Sequence, residues 1–238
     1  MFEAILEDGD ASRATHVVND LLAHGFPGSL TGSLAIDAHL RVRGRRAGRR
    51  SLSDIDFVVD GFAAIPESLA DRFLLNHVHP QALEGKTLVQ LIDPEHALRV
   101  DVFRAFGATL SRSGPLGVDT EPLDVVALED VVARTTAYVY GRLRAGRAIE
   151  AKHAHAFLEL LSVGGESALA DAWQDHREQM SCSFNEASNH ARRMLELHPE
   201  LVATEEYSSV ITPCERCQDH GRFRCAPPKR IVEILGYW

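Results

Sequence analysis

The stretch "SLSDIDFVVDGF" constrains the fold more than any other part of this chain. Ile55 and Phe57 are apolar at alternate positions, the period of a β-strand with one face in the core, and Gly61 ends the run. The same period sends Asp54 and Asp56 together to the opposite face. Two carboxylates held side by side repel each other unless a cation lies between them. An all-oxygen pair suits Mg²⁺, which uses few protein carboxylates and leaves positions for water and phosphate.

Asp101, in "LRVDVF", lies between Val100 and Val102 in the same alternation. If its strand pairs beside the first, it completes a triad that can hold two ions about 3.5–4 Å apart, the spacing used for in-line phosphoryl chemistry. One ion would then bind a triphosphate and the other would activate an attacking hydroxyl. Upstream, "SLTGSLAIDAHL" predicts a short strand, a turn at Gly32 and Ser33, and a helix beginning near Ser33. A small residue followed by a hydroxyl at a helix start lets backbone N–H groups approach a phosphate, whose charge the helix dipole favours. An isolated Asp-x-Asp is usually a solvated strand edge or turn. Helix, Gly-Ser turn, alternating pair and later lone aspartate together point to a metal and phosphate site.

Elsewhere, Ala14, Val17, Val18, Leu21 and Leu22 recur at helical spacing before Gly25 and Pro27 stop the pattern. "ESLADRFLLNHV" reads as a helix, and "KTLVQLIDPEHALRVDVFRAF" as two strands joined at Asp93 and Pro94. After the polar stretch "SRSGPLGVDTEP", four segments are helical in pattern: "LDVVALEDVVARTTAYVYGRLRAG", "AIEAKHAHAFLELLSV", "ESALADAWQDHREQM" and "FNEASNHARRMLELHPELV". The expected architecture is α+β: a mixed sheet with flanking helices over residues 1–115, a helical lobe over 116–205, and a small Cys-rich tail over 206–238.

Gly32-Ser33, Asp54-Ile55-Asp56 and Asp101 together resemble the core pattern of the nucleotidyltransferase fold in the DNA polymerase β superfamily. Within it, "GSLAIDAHL", "RRSLSDIDFVV" and "ALEDVVARTTAYVYGRLRAGRAIEAKHAHAFLELL" are similar to the abortive-infection (AbiEii-like) toxin nucleotidyltransferases and their uncharacterised relatives. The resemblance spans roughly residues 12 to 162. It implies a Mg²⁺-dependent enzyme, with two ions, that moves a nucleoside monophosphate from a nucleoside triphosphate to a hydroxyl of RNA, protein or a small molecule. Asp54 and Asp56 would bind both ions, Asp101 the catalytic one, and Gly32 and Ser33 the phosphates. Two alternatives share the fold: a nucleotide- or RNA-binding module without turnover, and the toxin of a toxin–antitoxin pair. This chain departs from the pattern twice. The spacer between Ser33 and Asp54 is longer than usual, and the lysine of the toxin subgroup's first lobe helix is replaced by Arg134 or Thr135, with Lys152-His153 standing for the later Lys-Asp pair.

The extra spacer carries Arg41, Arg43, Arg45, Arg46, Arg49 and Arg50, a local basic cluster in a chain of formal net charge −9. That net charge excludes a protein coated in positive potential, so broad non-specific DNA binding is a poor reading. Arg49 and Arg50, nearest the aspartates, could hold a triphosphate or an RNA backbone; equally, the segment could be a solvated hairpin hinged at Gly44 and Gly48. Lys152 could reach nucleotide phosphates or simply face solvent. Near the end, Cys214, Cys217, His220 and Cys225 have the spacing of a tetrahedral Cys3His zinc site, with Cys182 as a substitute for His220. A redox Cys-x-x-Cys pair or free thiols would also use these cysteines. No apolar run is long enough to cross a bilayer, so a cytoplasmic protein is expected, partnered by an antitoxin or a second copy of itself.

Overall fold

The computed structural model describes residues 1–45, 49–77, 88–116, 123–164, 169–178 and 180–203. A short helix, α1 (Phe2–Ile5), precedes the amphipathic α2 (Asp8–Ala23), whose Ala14, Val17, Val18 and Leu21 are buried at the spacing seen in the sequence. Strand β1 (Ser29–Thr31) then leads directly into α3 (Gly32–Val42). Strands β2 (Asp54–Val59), β3 (Leu74–His77), β4 (Leu88–Asp93) and β5 (Leu98–Arg104) follow. A one-turn helix α4 (Thr109–Arg112) and two short strands, β6 (Gly114–Pro115) and β7 (Asp124–Val125), lead to the helical lobe.

Among the described residues these strands form one seven-stranded mixed sheet in the order β3-β4-β5-β2-β1-β7-β6. The β2–β5 and β1–β7 pairs are parallel and the others antiparallel. Central strands carry Ile55, Phe57, Val100 and Val102, all buried, against the apolar faces of α1, α2 and α3. The α+β architecture with flanking helices and a following helical lobe is therefore as expected from the sequence.

Three local readings change. "ESLADRFLLNHV" is a 3-10 turn over Glu67–Asp71 followed by β3, because the run from Leu74 pairs with β4 and the pairing overrides its helical pattern. Part of "SRSGPLGVDTEP" joins the sheet as β6, and β7 extends that sheet beyond position 115. Helix α1 was too short to read from periodicity.

The lobe contains α5 (Leu128–Arg144), α6 (Ala151–Val163), α7 (Leu169–His176) and α8 (Phe184–Leu197), one for each helical segment expected. Ser183 and Glu186 form a reciprocal capping box at the start of α8. A two-stranded sheet pairs Ile149–Glu150 with Val202–Ala203. A second apolar core, with Trp173 and Phe157 among its largest side chains, fills the lobe. Among the described residues, no helix is long and apolar enough to cross a membrane.

The sheet and the lobe are joined by a buried polar network. Asp130 on α5 accepts two bonds from Arg112, at 2.7 and 2.6 Å, and one from Thr109, and lies 2.8 Å from His176 Nε2. Arg112 also reaches Asp175 on α7, and the Asp175 carboxylate accepts the Ala108 N–H. Burial alone would raise the Asp130 carboxyl, yet Arg112 and His176 hold it down to about 2. Its contribution to stability is thus complete above the ordinary carboxylate range and is lost as pH falls towards 2. Breaking such a pair by removing one partner costs on the order of 3 kcal/mol.

Candidate active site

The parallel pairing of β2 and β5 decides the site. It puts Asp56 directly beside Asp101 and Asp54 beside Arg99. On the other side, β1 runs antiparallel to β2 with Thr31 opposite Asp56, so the chain enters the Gly32 turn against the Asp56 side chain. Asp54, Asp56, Asp101, Gly32 and Ser33 are therefore brought to one place on the sheet.

Gly32 is required there by geometry. Its φ is +64°, and a Cβ added to it would lie 1.9 Å from Asp56 Oδ2. The close approach of backbone to carboxylate exists only because the residue has no side chain. Helix α3 begins at this glycine with Thr31 as N-cap, and Thr31 makes no side-chain capping bond. The first-turn N–H groups lack a capping oxygen from it, an arrangement that favours an anion.

The carboxylates perturb one another. Withdrawal from water, then the charges of Asp54 and Asp101, push the Asp56 carboxyl up to about 7, against the pull of Arg134 and Arg99. Asp101 is pushed up to about 6 by burial, which outweighs the opposing charge of Arg99, and further by Asp54. Gln90 donates to Asp101 Oδ1 at 3.0 Å, and Ser53 donates to Asp54 Oδ1 at 2.8 Å. Carboxyl groups raised by burial and by one another's charge return to the ionised state when a cation joins them, and carboxylate oxygens are the donors that a divalent ion such as Mg²⁺ takes.

Two arginines that the sequence reading did not place in the site belong to it. Arg99 donates to Asp54 Oδ2 through Nη2, and its Nε lies 3.1 Å from Asp101 Oδ1. Among the described residues, no three His, Cys, Asp or Glu side chains are gathered as a metal cage. Arg99 instead bridges two of the three aspartates. Arg99 stands two residues before Asp101, so strand period alone puts it on the same face. Arg134 comes from α5, with its guanidinium 5.2 Å from the Phe103 ring and 5.7 Å from that of Phe106. Withdrawal from water lowers its pKa, and the Asp56 charge works against that shift. Its one sequence signal was its alignment with the toxin subgroup's helix lysine.

The basic segment divides. Arg50 donates to buried Asp37 and, at 2.7 Å, to the Ser33 hydroxyl, so it is fixed at the start of α3. Its backbone is held by the N-terminal segment, through Arg50 N–H to the Ile5 carbonyl and Glu7 N–H to the Arg50 carbonyl. Arg49 points elsewhere and pairs with Asp8 of α2. Arg41, Arg43 and Arg45 are exposed at and beyond the end of α3, and residues 46–48 lie outside the described residues. Lys152 is exposed and pairs with Glu150 at 2.9 Å, at the start of its own helix.

Cys214, Cys217, His220 and Cys225 lie outside the described residues, so the zinc expectation rests on their spacing alone. Cys182 is a half-buried free thiol whose backbone carbonyl accepts the Trp173 indole N–H at 2.9 Å.

No family model matches the chain, and no curated protein is significantly similar to it. Among solved structures, it is similar to an antigenic nucleotidyltransferase-like protein from Paracoccidioides brasiliensis, at 14% identity over 87% of this chain and 98% of that one, with a TM-score of 0.47. It is also similar to a candidate nucleotidyltransferase from H. pylori, at 12% identity over 85% of this chain and all of that one, with a TM-score of 0.32. At these identities and TM-scores the likenesses stand beside the geometry and add nothing to it.

Proposed function

We propose that the protein is a nucleotidyltransferase that joins a nucleoside monophosphate, taken from a nucleoside triphosphate, to an acceptor hydroxyl. The observation that carries this reading is the register of β1, β2 and β5, which sets the Gly32 turn and Asp101 on either side of Asp56. A strand pairing made only for packing would have no use for a left-handed glycine pressed on a carboxylate, or for two acids raised towards neutrality.

Asp54, Asp56 and Asp101 would hold Mg²⁺. When bound, that ion supplies the charge that neutralises the phosphates and makes the acceptor hydroxyl easier to deprotonate. The N–H groups at the start of α3 cradle the phosphates, and Arg50 beside Ser33 adds positive charge at that end. Asp56 and Asp101 would orient the acceptor oxygen towards the α-phosphorus, and the Asp101 carboxylate, ionised beside the cation, would take its proton. The new P–O bond forms as the bond to the β-phosphate bridging oxygen breaks, and pyrophosphate leaves with that electron pair.

The test is label transfer from each α-labelled nucleoside triphosphate, with Mg²⁺ and pools of RNA, protein and small hydroxylated acceptors. Transfer by the native chain and its loss in the Asp54→Ala, Asp56→Ala double variant is the expected outcome. Nucleotide binding without transfer into any pool would instead support a binding module of the same fold.

A further inference from the structure

Arg99 has a chemical position that the transfer reaction does not explain. Its Nη2 group donates to Asp54 Oδ2, and its Nε lies 3.1 Å from Asp101 Oδ1. That oxygen also accepts from Gln90, and the Nε donor is buried without an aligned hydrogen-bond acceptor. Charge, more than a satisfied pattern of hydrogen bonds, holds this guanidinium between the two carboxylates. The atoms it occupies are the ones a metal ion would need.

Resting on the metal-holding reading of Asp54, Asp56 and Asp101, we infer that Arg99 is the resident counter-cation of this cluster and competes with the divalent ion for it. Asp54 sits directly opposite Arg99 in the parallel register, and Asp101 is two residues along the same strand, so one flexible side chain serves both acids. Three acids crowded on one face would otherwise repel each other, and Arg99 offsets that repulsion while no metal is bound. Metal entry then has to release the guanidinium. A released arginine beside the site is matched to a phosphate, with which it makes a two-pronged contact. The divalent ion therefore binds weakly by itself and more tightly with a nucleoside triphosphate, because the triphosphate gives Arg99 the anion it loses. This side chain thus adds to the thermodynamic coupling that direct contact between ion and phosphate already provides.

The opposite role is also definite: an arginine that merely orients the acids would raise metal affinity. The sign of the effect separates the two. Binding of Mn²⁺ to the full chain is measured at pH 8 by the spin-resonance signal of the free ion, for native protein, Arg99→Met, Arg99→Lys and an Asp54→Asn, Asp101→Asn control. Arg99→Met is expected to bind Mn²⁺ about ten- to a hundredfold more tightly than native protein, the scale of one or two charge-assisted contacts removed from competition. With Mn²⁺ held by nucleotide alone subtracted through a protein-free control, a saturating non-hydrolysable nucleoside triphosphate is expected to tighten Mn²⁺ binding by a larger factor in native protein than in Arg99→Met. If Arg99→Met does not fold, Arg99→Lys carries the test with a smaller tightening, since an ammonium cannot fork across both acids. Equal or weaker Mn²⁺ binding in the folded variants would overturn the inference and leave the metal site standing. Absence of Mn²⁺ binding in native and variant protein alike would overturn the metal-holding reading as well.

Discussion

Asp56→Asn is expected to abolish nucleotidyl transfer and, in the metal-free protein at pH 8, to raise the melting temperature. The two effects have one cause. The Asp56 carboxyl is pushed up to about 7 by withdrawal from water and by Asp54 and Asp101, with Arg99 and Arg134 facing it as partial compensation. In the unfolded chain it returns to the ordinary aspartate value of 3.8. Between these values the folded protein binds the extra proton, so stability falls as pH rises from about 4 through about 7, and above 7 the full cost of ionisation is present. Asparagine carries no such charge. Melting curves at pH 5 and pH 8 should show the native protein losing stability over that interval and the variant losing much less, at about 2–4 °C for each kcal/mol relieved. Mg²⁺ at pH 8 should restore the native protein and do little for the variant, while transfer falls by about a thousandfold or more, the scale of losing a group aimed at transition-state charge. Stability surrendered for function is a common property of active sites.

Gly32→Ala is expected to lose transfer to a similar degree, with a change in stability of opposite sign. The new Cβ would stand 1.9 Å from Asp56 Oδ2, 2.6 Å from its Cγ and 2.7 Å from its Cβ, so rotating the Asp56 carboxylate does not clear it. The left-handed backbone at φ +64° adds a further penalty of about 1–2 kcal/mol for any residue with a side chain. Strand β1 must move from β2 or α3 must tilt, and either opens the phosphate end of the site. Gly9→Ala is the control: nothing lies within 4 Å of its added Cβ and its backbone is helical, so it should leave transfer unchanged and stability equal or higher. Thermal melts and initial transfer rates of the two alanine variants check this.

How much of this was legible follows from the range of each interaction. Asp54 and Asp56 could be placed on one face because a strand's period is local. Asp101 could be named from its alternation with Val100 and Val102, while its place beside Asp56 needed the parallel pairing of β2 with β5, which skips β3 and β4. Arg99 stands two residues before Asp101, so the same period of two puts it on the acids' face, while its pairing with Asp54 needed the β2–β5 register. Arg134 could be suspected only by alignment; its position over the Phe103 and Phe106 rings depends on where α5 is set in the fold, which no local pattern encodes. Arg49 and Arg50 are neighbours in sequence with different fates, because α1 and the start of α2 pin the backbone there and send one side chain to Asp8 and the other to Asp37 and Ser33. The β3 segment misled for a related reason: an apolar run of that length satisfies a helix or a strand, and only its partner β4 selects between them.

The proposed transfer depends on a divalent ion held by Asp54, Asp56 and Asp101. The most direct measurement is anomalous diffraction from crystals grown with Mn²⁺ and a non-hydrolysable nucleoside triphosphate. Mn²⁺ peaks are expected in ligand contact with all three aspartates, with the triphosphate against the Gly32 turn and Arg99 drawn away from Asp54. A well-ordered nucleotide bound elsewhere, with no Mn²⁺ peak at these aspartates and Arg99 still bridging them, would contradict it.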